Sequence, residues 1–210
     1  MGKDFWEKEI TSELKQHLIG SSISSYQNAN GILEDAEILF ERNRYARSAA
    51  LAILAEEEYG KAFLLVSCSF QKRWDSEVWK VISDHSKKQA LSEGMCQIIE
   101  IIKKEIENNH ICPSSQEDEL ISKYGHLFIN KEKIENITEP IKKDFLKKRK
   151  KDKLKQMFLY VSINKNGLVV STPENICEVD ARLCIEKARK IKCIVETHYK
   201  ESNVQYRAEK

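Results

Sequence analysis

Apolar residues recur at helical spacing along most of the chain, and one stretch alone carries a strand signal. Phe5, Ile10, Leu14 and Leu18 predict a first amphipathic helix over Phe5 to Ile19, closed by Gly20. Ser21 to Ser25 then offer caps for a second helix through about Glu41, with Tyr26, Ala29, Ile32, Leu33, Ala36, Leu39 and Phe40 on its buried side. Asn43 makes a short break before a third helix, and so short a connection predicts an antiparallel hairpin. Asp75 or Ser76 caps a short helix carrying Val78, Trp79 and Ile82. Ser83 or Asp84 caps the next, to about Asn108, which puts His85 in its first turn. After a loop through Pro113 come a less regular helical stretch, Glu117 to Leu127, and a basic helix following Pro140. Phe158 to Ile163 and Leu168 to Ser171 read as a β-hairpin joined through Asn164 to Gly167. Pro173 and Glu174 open a last helix to about Tyr199, with Ile176, Val179, Leu183, Ala188, Ile191 and Val195 available for packing.

The third helix, around Arg44 to Lys61, is the organising element. With Glu57 as origin and about 100° per residue, Ala46, Ala50, Ile53, Leu54, Gly60, Lys61, Leu64 and Cys68 lie on its side of the helix. Ala52, Ala55, Tyr59, Ala62 and Val66 make the opposite side apolar too, the pattern of a central, buried helix. Glu56, Glu57 and Glu58 interrupt it. Two readings are open. One is a solvated patch with a Glu57 to Lys61 pair, contributing about 0.2 to 0.5 kcal/mol. The other is a buried polar constellation, in which removing one partner costs about 3 to 5 kcal/mol. The apolar circumference also suggests a homodimer with two copies of the polar cluster near one groove.

Composition narrows the class. The 210 residues hold only seven Gly and three Pro, with 32% charged residues, which favours an all-α fold over a sandwich or barrel. A single helical domain spanning 1–210 is expected, with core helices in 1–108 and the basic helix, hairpin and last helix of 117–210 packed on them. Six cysteines show no C-x-x-C and no zinc-ligand spacing with His, so no metal or other cofactor is expected. The absence of a signal-like segment or membrane span, together with reduced thiols, suggests the cytoplasm.

Nucleotide-binding, zincin and hydrolase motifs are absent. Three features remain: the Glu cluster with Lys61, the turn Asp84-His85-Ser86-Lys87-Lys88, and the run Lys142 to Lys155. His85 is either a surface histidine or a general acid or base, because imidazole exchanges protons near neutral pH. A helix N-terminus beside Lys87 and Lys88 suits a phosphate. Together these suit RNA cleavage without metal. The basic run holds nine positive charges in fourteen residues. It is either a solvated face or an RNA contact, with Lys147, Lys148, Arg149, Lys150 and Lys151 at its centre.

The block Tyr45 to Ala62 (YARSAALAILAEEEYGKA), the segment Asp84 to Gln89 (DHSKKQ), and Leu159-Tyr160-Val161 followed after Gly167 by Thr172-Pro173 resemble the AbiV family of abortive-infection proteins, among the HEPN helical domains. The resemblance implies a helical homodimer that acts in phage defence and arrests growth or translation when a phage-encoded activator triggers it. It also implies RNase activity of the kind that uses an R-x(4-6)-H motif at a dimer interface. Here Arg73 precedes His85 by twelve positions, and Lys192 stands where an arginine would precede His198. Glu57, Glu58 and Lys61 match the family's E-E-x-G-K block, and His85 and Lys88 its H-x-x-K segment. The implied roles are His85 for proton transfer, Lys61 or Lys88 for holding phosphate, and Glu57 for orienting one of them. Arg47 and Arg73 are candidates for the missing arginine. A non-catalytic factor that blocks the translation machinery, RNA or a phage protein is the alternative.

Overall fold

The computed structural model describes residues 10–71, 74–108, 150–202 and 204, with the backbone alone for 71, 77, 97–108, 150–152 and 201. Among them are six α-helices: α1 (Ser12–Glu41), α2 (Tyr45–Gln71), α3 (Ser76–Ser83), α4 (His85–Asn108), α5 (Lys150–Leu159) and α6 (Glu178–Glu201). One small antiparallel sheet, β1 (Ser162–Ile163) with β2 (Val169–Ser171), lies between α5 and α6. The helical stretch expected over Glu117 to Leu127 and the basic positions Lys142 to Arg149 fall outside the described residues.

The two helices expected before Asn43 are one. α1 starts at Thr11, whose side chain accepts the Leu14 N–H at 3.2 Å, and runs through Gly20 without interruption. A glycine inside a helix costs only about 1 kcal/mol. Leu18, Ser22, Ser25, Tyr26, Ala29, Leu33 and Ala36, all buried, keep one face continuous across it. The serines expected to cap a new helix instead bond within this one: Ser24 and Ser25 donate to the carbonyls of Gly20 and Ser21, four residues back.

α1 ends where the sequence says. Asn43 adopts φ 58°, its N–H donates to the Phe40 carbonyl, and the Arg44 N–H donates to the Leu39 carbonyl, a Schellman closure that turns α2 back along α1. The next two helices, α3 and α4, each start on an aspartate cap. Asp75 Oδ1 accepts from the Val78 N–H at 2.9 Å, and Asp84 Oδ1 accepts from Ser86 and Lys87 at 2.8 and 3.2 Å.

α2 is the centre, packed on α1, α4, α5 and α6. Ala52, Ala55, Tyr59, Ala62, Phe63 and Val66 join α1 and α6 in the main core. Ala46, Ala49, Ala50 and Ile53 take Phe158 and Ala181 on another side, and Leu65 and Cys68 take Leu18 and Val78 on a third. Except for Phe70 near its end, 41% exposed, the large apolar residues of α2 are thus buried or half-buried within their own chain.

Two further expectations shift. Phe158 and Leu159 belong to the last turn of α5, closed by the Tyr160 N–H on the Gln156 carbonyl, because Phe158 is buried against α2; pairing starts only at Ser162. Pro173–Asn175 is a separate 3₁₀ turn, and α6 starts after Cys177, whose N–H donates to Asp180 Oδ2. The buried stripe of α6 is Ala181, Ile185, Ala188, Ile191, Ile194 and Val195, which leaves Val179 and Leu183 about 60% exposed.

Candidate functional site

Of the three consecutive glutamates, Glu56 and Glu57 are buried and Glu58 is half-buried. That removes the solvated reading for Glu57. Its carboxylate collects three donors from two other helices. Lys155 Nζ of α5 and Gln89 Nε2 of α4 both reach Oε1 at 2.6 Å, and His85 Nδ1, at the start of α4, reaches Oε2 at 2.7 Å. Burial by itself pushes the Glu57 carboxyl up, but the bonds from Gln89, His85 and Lys155 and the Lys155 charge outweigh it and hold the group below the usual carboxylate range. An ionised carboxylate can only accept, so Nδ1 carries the ring proton. With the proton on Nδ1, the tautomer that can act as a base has its lone pair on Nε2. The His85 side chain is 63% exposed, against 2% for Glu57, so a buried anion aims an accessible imidazole.

Lys61 bonds to Glu58 rather than Glu57. Its Nζ donates to Glu58 Oε2 at 2.5 Å, Lys88 Nζ stands 4.0 Å from Oε1, and Asn28 of α1 donates to Oε2 at 3.3 Å. Glu58 thus gathers Lys61 and Lys88, while Glu57 gathers His85, Gln89 and Lys155. Lys87 lies in the first turn of α4 and is partly exposed. Arg47 is exposed ten residues before Glu57, about 15 Å along α2, and is not brought into this cluster. Arg73, Lys147, Lys148 and Arg149 lie outside the described residues; Lys150 and Lys151 open α5, described by backbone alone.

Gln89 and Lys155 are the members that sequence reasoning missed. Gln89 sits four residues after His85, one helical turn on and on the same face. Lys155 reads in the sequence only as part of the basic run. Its signal is its place three residues before Phe158, the apolar residue that turns this face of α5 toward α2.

The other residue with the wrong cation before it, His198, is a core group. It is buried, 3.1 Å from the Ser67 hydroxyl and stacked near Phe63, and burial pulls its pKa down to about 4. A second buried carboxylate, Glu56, faces the other way. Burial alone would lower the Lys187 ammonium, but Glu56 and the hydrogen-bonded Glu93 hold it above its ordinary value.

Among the described residues no three His, Cys, Asp or Glu side chains are grouped to hold a metal, and no helix is long and apolar enough to cross a membrane. Comparison with curated proteins and with solved structures found no match. Comparison with protein families found one covering residues 19–201, which includes every member of the Glu57 and Glu58 clusters. The chain belongs to that family, HEPN_AbiV, described as AbiV, and with it to the helical proteins of abortive infection.

Proposed function

We propose that this protein is an abortive-infection effector that arrests an infected bacterium by cleaving RNA without a metal, with His85 as the proton-transfer residue. The observation that carries the reading is the 2.7 Å contact between His85 Nδ1 and Glu57 Oε2, which couples an exposed ring to a buried anion. In this scheme Nε2 removes the proton of a ribose 2′-hydroxyl. The 2′-oxygen attacks the adjacent phosphorus, the bond from phosphorus to the 5′-oxygen breaks, and that oxygen takes a proton from water. Glu57 stabilises the imidazolium that forms. Lys61 and Lys88 would hold the phosphate oxygens, with Lys87 and the N-terminus of α4 beside them. Lys147, Lys148, Arg149, Lys150 and Lys151 would contact the RNA backbone, and the working unit would be a homodimer released by a phage product.

A second reading, a factor that blocks the translation machinery or a phage protein by binding, is favoured by a different observation. Lys61 and Lys155 are both already seated on carboxylates, at 2.5 and 2.6 Å, so much of the cluster's charge is compensated within the chain. Incubating the purified protein with total RNA in EDTA separates the two. Discrete cleavage products are expected; intact RNA, with growth arrest retained in cells, would hand the function to binding.

A further inference from the structure

The state of Glu57 decides which nitrogen of His85 can act as a base. A carboxylate accepts from Nδ1 and leaves the lone pair of the neutral ring on Nε2, the nitrogen away from the buried acid. A protonated carboxyl would instead donate to Nδ1 and put the ring proton on Nε2, where the lone pair is needed. Burial works against the anion, because a side chain only 2% exposed keeps little of its hydration. The His85 ring is 63% exposed, so water competes for its N–H and that contact is by itself a weak counterweight.

We infer that Gln89 and Lys155 are positioning residues of the candidate site: by occupying Oε1 of Glu57 they leave Oε2 to His85 Nδ1 and set the ring in the tautomer whose Nε2 can take a proton. Both reach Oε1 at 2.6 Å, and both do so away from water, Gln89 being 1% exposed and the Lys155 side chain 12%. Rotation of a glutamate carboxyl is otherwise broad and two-fold, so two donors on one oxygen fix which oxygen His85 meets. Their contributions differ. Gln89 adds a neutral donor, whereas Lys155 adds the charge that offsets the buried anion. Lys61 and Lys88 lie on Glu58, so the ammonium at Glu57 is supplied by α5. Each residue thus acts through Glu57 and not on the substrate.

The inference rests on the reading of His85 as the proton-transfer residue, but the tautomer is measured without RNA. Two-bond proton–nitrogen correlation spectra of the full chain in mildly alkaline buffer read it directly, with His85→Gln to assign the ring. The wild-type ring should carry its proton on Nδ1, the reverse of the form that a free histidine side chain favours in water. Gln89→Met and Lys155→Met are close in length to the residues they replace and cannot donate, and each should move the ring toward the Nε2–H form. In cleavage of one defined RNA each should lower kcat about 10- to 100-fold with KM unchanged, the split expected of a group that orients a partner without touching substrate. Far-ultraviolet circular dichroism checks folding; should the buried Gln89→Met fail to fold, Lys155→Met carries the same test. A wild-type ring protonated on Nε2 would overturn the inference, as would folded variants whose ring keeps its Nδ1 proton. A Lys155→Met protein whose loss lies in KM alone would also overturn it, by making Lys155 a phosphate contact. The expected tautomers in a wild type that leaves RNA intact would support this assignment of the ring and count against the proposed function alone.

Discussion

Glu57 is the residue on which the candidate site turns, and its environment makes its role measurable. Replacing it by alanine leaves the Lys155 ammonium and the Gln89 amide without their shared acceptor and should destabilise the fold by about 3 to 5 kcal/mol. The exposed Glu34→Ala should move stability by less than about 0.5 kcal/mol. Equal melting temperatures for the two variants would make Glu57 energetically a surface residue. The carboxyl is held below its ordinary 4.5, so its contribution is fully present above that pH and is lost as pH falls through the lower folded value. His198 acts at higher pH. Its pKa is depressed from 6.5 to about 4, so the unfolded chain binds the extra proton in that window. Stability is therefore whole above about pH 6.5 and falls by about 3 kcal/mol on the way to pH 4. Denaturant melts from pH 7 to 4 should show that slope in the wild type and a flatter one in His198→Gln; identical slopes would mean that the ring is not buried neutral.

At the scale of elements, the sequence is most legible where a local rule suffices. Asn43, Asp75 and Asp84 mark helix ends through bonds only a few residues long, and these boundaries follow from the residues themselves. It misleads where tertiary packing overrides a weak local preference. Gly20 looks like a terminator, but the buried face from Leu18 to Ser22 carries α1 past it. Phe158 looks like a strand residue, but α2 takes it as the buried residue of a helix. Because a Cβ at Gly20 would meet nothing within 4 Å, Gly20→Ala should stabilise the protein by about 0.5 to 1 kcal/mol, read as a higher melting temperature. A lower one would mean that α1 is broken there. The basic run gives a second test. Changing Lys147, Lys148, Arg149, Lys150 and Lys151 to Gln should weaken RNA binding and lower its salt dependence, by about 0.7 to 0.9 in log-log slope for each phosphate that is no longer neutralised. Unchanged affinity and slope would make the run a solvated surface.

For the whole molecule, the family and the helical class are legible from three separated segments, and the partnership of those segments is legible only in three dimensions. His85 and Glu57 stand 28 residues apart, and Lys155 and Glu57 stand 98 apart. No periodicity links such positions; the packing of α4 and α5 against α2 does. That packing gives the proposed chemistry its form, a buried carboxylate with an exposed imidazole at the N-terminus of a helix. The most direct measurement is the initial rate of cleavage of one defined RNA in EDTA by the wild type and by His85→Ala, with melting temperature and sedimentation recorded for both. Loss of the proton-transfer group should lower the rate about 10² to 10⁴-fold while fold and assembly stay unchanged. A folded His85→Ala protein that cleaves as fast as the wild type would contradict the assignment.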